Sequence, residues 1–324
     1  MQAILAVTVP FFALVLAGWL AAWRGLLPES AIPGLNAYVL FFALPCMLMR
    51  FGMATPVLEL LNPAVLAVYM LCALVVVGFT IAVTLNAAVG LKDASFGALV
   101  AAFPNSGFMG VPLLVALLGP AAAGPVICTV LADMVVTSTL CIALSQLQGA
   151  GAGAAGARAA AGRALRGVLV NPLPWAIGLG VLMSAGQWRL VGPVDTVVRL
   201  LADSATPVAM FTIGGVLWRA GQHAHTRTPL AHYLPVAAIK LLLHPLLVLL
   251  AGAGAQRLGA PLSAFQLLVL TLAAALPSAS NVALLTERYG ADAGRVARII
   301  LASTVGAFAS FSALAWLFGV QPVA

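Results

Sequence analysis

Apolar residues run along this chain in long, nearly unbroken blocks. Residues 1–23 carry no charge, and the stretch 3–22 matches a membrane-spanning helix, which needs about 20 mainly apolar residues. Cutting the remainder at charges, Gly/Pro clusters and turn residues leaves nine more blocks, near 33–51, 62–89, 94–118, 121–147, 168–187, 197–218, 231–256, 262–286 and 296–319. The expected fold is therefore an all-α integral membrane protein with ten transmembrane helices. The 62–89 block is long enough to require tilt. The first block is not read as a signal peptide. It has no basic leading segment, and it ends at Trp23-Arg24 without a pair of small residues for cleavage.

Composition removes the soluble alternatives. Hydrophobic residues make up 63% and charged residues 7%, against about 45–50% and about 25% in soluble domains. The surface must then face lipid. The net charge is +7, but 15 Lys and Arg spread over so apolar a chain make no nucleic-acid patch. They read as orienting charges. Arg24, Lys92, Arg158, Arg163, Arg166, Arg219, Arg227, Arg288, Arg295 and Arg298 fall on odd-numbered connections, against Arg50, Arg189, Arg199 and Arg257 on the other face. Ten against four places the odd connections in the cytoplasm, with both termini outside a multi-pass protein of the inner (plasma) membrane. Cys46, Cys72, Cys128 and Cys141 lie in apolar stretches with no C-x-x-C pair. They read as small hydrophobes rather than metal ligands or a disulfide frame. His223, His225 and His232 read as a solvated loop. No metal and no cofactor is expected.

The two halves of the chain resemble each other. Pro10 and Pro172, Gly18 and Gly180, Pro45 and Pro207, and Gly52 and Gly214 are each 162 residues apart. The offset becomes 173 at Pro104 and Pro277, and 170 at Leu131-Ala132 and Leu301-Ala302. Between the halves lies a Gly/Ala/Arg linker, 148–166. The division is 1–147 and 167–324 with five spans each. Five is odd, so the second repeat enters the membrane inverted, a transporter architecture whose site lies near mid-membrane where the repeats meet.

The fourth and ninth blocks are broken at matching places. The first break holds Pro104, Asn105, Ser106, Gly107, Gly110 and Pro112, and the second holds Pro277, Ser278, Ser280 and Asn281. Such sequences cannot continue a regular helix. Unwound backbone in a bilayer must be buried in protein or line a watery cavity. Half-helix N-termini following the breaks would favour an anion, with the Asn and Ser side chains as donors. These ten residues are the candidate substrate site.

At these residues the chain resembles the auxin efflux carrier family. Phe-Pro-Asn-Ser-Gly-Phe-Met-Gly-Val-Pro-Leu-Leu at 103–114 is similar to that family's fourth-helix segment. Ala275-Leu276-Pro277 with Glu287-Arg288-Tyr289-Gly290 is similar to its ninth. Ala-Leu-Pro-Cys at 43–46 and Thr206-Pro207 before Gly214 fit its second and seventh helices. The resemblance covers the whole chain. It implies ten helices in two inverted repeats crossing at the unwound Pro regions, and transport of organic anions: auxin in plants, malate- or malonate-like acids in bacteria. Asn105 and Pro112 match the family's crossover Asn and Pro. Val282 stands where plant carriers have a second Pro, and the long plant loop is absent, as in a prokaryotic-type member.

Three ionisable residues fall within the blocks, where a charge costs about 2.5–3.5 kcal/mol at the bilayer centre. Asp133 lies in block five, Asp203 in block seven and Lys240 in block eight, with His244 one turn on. They are the candidates for ion or proton coupling, with H+ or Na+ as the coupling partner and Lys240 neutralising either such a carboxylate or a substrate anion. The leading function is a secondary transporter of small carboxylates that works by alternating access, with a homodimer as a further possibility. The nearest rival is a sodium- or proton-coupled antiporter or symporter of related fold with a different substrate. A nucleotide-driven pump is disfavoured, since there is no G-x-x-x-x-G-K-[ST] segment. An intramembrane enzyme would need a catalytic pair beyond Asp133 and Asp203. A receptor built on a transporter fold completes the classes.

Overall fold

The computed structural model describes residues 1–54, 62–147, 154–222 and 228–322. Among these the chain is helical apart from turns and a single isolated β-bridge. We number the helices α1 (Gln2–Trp23), α2 (Glu29–Ala54), α3 (Pro63–Thr84), α4 (Leu91–Ala102), α5 (Ser106–Leu118), α6 (Pro120–Ser145), α7 (Ala154–Val170), α8 (Pro172–Ala185), α9 (Gly192–Gln222), α10 (230–257), α11 (Ala264–Ala274), α12 (Val282–Tyr289) and α13 (Ala293–Leu317). Seven of them (α1, α2, α3, α6, α9, α10 and α13) contain stretches long and apolar enough to cross a membrane; α5, α8 and α11 are shorter apolar helices. Helices of this length and hydropathy are those of an integral membrane protein.

Helix starts follow local chemistry. Asn62 caps α3 by accepting from the amides of Ala64 (2.9 Å) and Val65 (3.2 Å), with Pro63 at the first position. Asn171 does the same for α8, accepting from Leu173, ahead of Pro172. Ser263 and Gln266 form a reciprocal capping box on α11. The long third block is corrected here. α3 stops at Thr84, because Asn86 Oδ1 accepts from the amides of Ala88 and Val89 and folds 86–89 into a turn. At 22 residues the helix rises about 33 Å, a few ångström more than the hydrocarbon core of a bilayer. The linker is corrected in part: 154–170 is a helix packed against α6, while 148–153 lies outside the described residues.

Four helices contain a wide π turn: Val39–Ala43 in α2, Ser106–Gly110 in α5, Asp133–Thr137 in α6 and Ile239–Leu243 in α10. Three have one cause. Pro45, Pro112 and Pro245 each stand two residues beyond the turn. Proline has no N–H and its ring would strike the carbonyl four residues back; widening the turn moves that carbonyl aside. In α6 no proline follows the turn. There Ser138 gives the carbonyl of Asp133 two donors, its amide and, at 2.9 Å, its hydroxyl.

The helices sort into two groups. α1, α2, α8 and α9 pack on one another, and α3, α4, α6, α10 and α11 form a second bundle, with α5 and α13 touching both. In the first group α1 crosses α9 at Gly18 and Gly214. A Cβ on Gly18 would overlap the carbonyl oxygen of Phe211, and one on Gly214 the carbonyl oxygen of Val15. α8 crosses α2 at Gly180 and Gly52, where a Cβ on Gly180 would overlap the carbonyl oxygen of Met49. These four glycines are the two pairs spaced 162 residues apart in the sequence.

Candidate functional site

The break after α4 and the break after α11 meet. Phe103 is extended (φ −98°, ψ 97°), and Pro104 lies antiparallel to Ser278. The amide of Asn105 donates to the carbonyl of Pro277 at 2.8 Å, and the amide of Ala279 donates to that of Phe103 at 3.0 Å. Each break thus satisfies backbone groups the other has freed, the condition for unwound chain at membrane depth. Side chains reinforce the joint. Ser278 Oγ donates to the carbonyl of Val100 at 2.7 Å, and the amide of Ser278 donates to Ser303 Oγ at 3.1 Å. Gly110 packs closely on Leu276, whose Cδ1 would have to move aside for a Cβ at 2.7 Å. Pro112 starts the regular part of α5 and is buried. Ser280 is buried, while Gly107 and Asn281 are half-buried.

Some polar groups at the joint are unused by the protein. Asn105 is 4% exposed, and neither its side-chain amide nor that of Asn281 makes a hydrogen bond among the described residues. The hydroxyl of Ser106 is fully buried without a partner. Asn281, Phe103 and Phe108 line a cavity of about 380 Å³ that is also bounded by Asn36, Asn171, Arg163 and Arg288. Among the described residues no Asp or Glu lines it.

A second buried cluster stands beside the joint. Asp133 is fully buried in the π turn of α6. It accepts from the phenol of Tyr69 at 2.7 Å and from Thr137 Oγ1 at 2.9 Å. Lys240, also fully buried in a π turn, donates to the carbonyl of Ala274 at 2.5 Å and lies 3.3 Å from His244 Nδ1. Among the described residues no direct ion pair joins it to Asp133. The Tyr69 and His244 rings are 5.8 Å apart and close the group. Ala274 ends α11, so Lys240 sits at a helix C-terminus, where the backbone dipole is negative. Asp203 is not brought here: its side chain is exposed on α9.

The model of the family described as "Membrane transport protein" matches residues 3–317. The chain belongs to that family, the auxin efflux carriers. A relative from Rhizobium meliloti (strain 1021), named "Putative malonate transporter", is 28% identical over 322 residues, covering 98% of this chain and 96% of its own. In this family member, sequence reasoning missed Tyr69, Ser303 and the cavity residues Asn36 and Asn171. Ser303 carried a signal, standing 170 residues after Asp133 in the repeat. Arg295 was read as a loop charge and is instead 2% exposed. It donates to the carbonyls of Asp93 (2.7 Å) and His232 (2.8 Å) and ties together the starts of α4, α10 and α13. His223, His225 and Arg227 lie outside the described residues.

Proposed function

We propose that this family member is a secondary transporter that carries small carboxylates, malonate-like or auxin-like, across the inner membrane by alternating access. The observation that carries the reading is the meeting of the two breaks beside a cavity lined by Asn and Arg and free of carboxylates. In the ten-span reading α4 with α5 is the fourth span and α11 with α12 the ninth. The Gly18–Gly214 and Gly180–Gly52 crossings support the inverted repeat. Exchanging the halves by 162 residues turns one contact into the other. On the loop-charge orientation the cavity opens to the cytoplasm, and both termini lie outside. The site residues would be Pro104, Asn105, Ser106, Gly107, Gly110 and Pro112 with Pro277, Ser278, Ser280 and Asn281. The relative named for malonate favours a carboxylate.

Coupling to H+ or Na+ is a second reading, favoured by the burial of Asp133 beside Lys240. Purified protein in liposomes tests both. Uptake of labelled malonate or a related acid supports the carrier, and no uptake of any mono- or dicarboxylate refutes it. A dependence on an imposed proton or sodium gradient supports coupling.

A further inference from the structure

Asn281, Leu284, Leu285 and Arg288 all line the cavity. Their spacing is i, i+3, i+4 and i+7, so one face of α12 forms a wall. Asn281 stands at the helix N-terminus, next to the crossing, with a free amide. Arg288 lies two turns on, about 10 Å along the axis. Arg163, from α7, lines the same cavity. Between the polar ends the wall is apolar: Leu284, Leu285, Phe103 and Phe108.

The two arginines, both solvent-exposed, differ from three others in what holds them. Arg219 pairs with Glu29 at 3.1 Å, Arg50 pairs with Asp195, and Arg295 is held by carbonyls. Arg163 and Arg288 have no carboxylate partner among the described residues. Glu287, next in sequence to Arg288, lines a neighbouring pocket instead. A guanidinium stays charged at any physiological pH and matches a carboxylate in two-pronged geometry.

Resting on the carboxylate reading above, we infer that Arg288, with Arg163 beside it, binds the second carboxylate of a short dicarboxylate whose first carboxylate lies at Asn281. Arg288 is then a specificity residue. A monoacid fills the Asn281 end and the apolar wall but leaves the arginines to water. A diacid engages both ends, and its carbon chain lies against the leucines.

The test compares malonate with propionate, acids of equal carbon number, in proteoliposomes. Parent protein should take up malonate in preference to propionate. Arg288→Gln should lower malonate uptake at limiting concentration about tenfold, equivalent to about 1.4 kcal/mol, and leave propionate uptake unchanged. Propionate flux thereby reports that the variant is folded. Arg163→Gln should act in the same direction, and Arg288→Lys should retain part of the preference. Arg257→Gln, at the exposed end of α10, should change neither flux. If the parent moves both acids but Arg288→Gln keeps their ratio, or lowers both equally, the assignment of Arg288 fails while the carboxylate carrier stands. If the parent moves neither acid nor any other carboxylate, the carrier reading falls and this inference falls with it.

Discussion

Lys240 donates its ammonium to the carbonyl of Ala274 across 2.5 Å, a buried cation placed on the last residue of a helix that stops inside the protein. Four C-terminal carbonyls of any helix lack helical partners, and in a membrane interior water does not supply them. Lys240→Met should therefore destabilise the fold by about 1–3 kcal/mol, the range for a lost hydrogen bond to a charged group. It also strands Asp133 without its cation. Thermal unfolding in detergent should show Lys240→Met/Asp133→Asn to be less destabilised than the sum of the two single changes. Strict additivity would mean that the two charges are energetically independent.

The glycine crossings predict an ordered series. Gly18→Ala and Gly180→Ala each force a methyl into a backbone carbonyl of the facing helix. Backbone cannot rotate away as a side chain can, so each should cost about 1–3 kcal/mol or more. Gly78→Ala, with nothing within 4 Å of the added carbon, should be neutral or slightly stabilising. Yield and melting temperature of the three variants check the order.

Asp133 predicts a separation of activities. If it carries the coupling ion, Asp133→Asn should abolish gradient-driven accumulation while substrate exchange between the two sides continues. Tyr69→Phe, which removes only the hydrogen bond at Asp133 Oδ2, should shift the pH or cation dependence without abolishing transport. Unaltered accumulation in Asp133→Asn would leave Asp133 as a fastener between α3 and α6.

Asn105→Ala and Asn281→Ala remove unused donors from the two breaks. Each should weaken binding of a transported acid by about 1–3 kcal/mol, about tenfold or more, with little change in stability, since neither amide holds the protein together. Titration of the purified variants measures both effects. Affinities equal to the parent's would move the substrate away from the crossing.

A cysteine at Gly162 on α7 should resist a membrane-impermeant thiol reagent added to intact cells, and one near the C-terminus should react. The opposite pattern would invert the assigned orientation.

The crossing was legible because proline and glycine announce themselves inside apolar sequence: Pro104, Gly110 and Pro277 all stand where the chain unwinds. The shared bridge between Pro104 and Ser278 was not, since pairing between distant segments leaves no local pattern. Asp133 and Asp203 look alike in sequence, each an acid within an apolar block. Helix phase separates them, turning one toward Tyr69 and the other outward. Loop arginines were counted only as orienting charges, and charge counting treats Arg24 and Arg295 alike. One lies at an exposed helix end beside Trp23; the other is buried among three helix starts. The end of α3 was readable at Asn86, whose side chain mimics a turn, but a hydropathy cut overlooks one amide.

The wide turns have a consequence for insertions and deletions. Each holds one more residue than an ordinary helical turn, so the flanking segments keep an angular phase that a uniform helix of the same sequence would lose. Deleting one residue within 134–137 removes that extra residue, so α6 closes into a regular helix while Asp133 and the far end keep the faces they now present. Deleting one residue from a regular stretch such as 126–130 instead swings everything beyond it by about 100°, with a shift of about 1.5 Å. A single-residue deletion should therefore be a local loss inside the wide turn and a reversal of one helix face outside it, and the same contrast holds for 241–243 against the regular stretch 246–250.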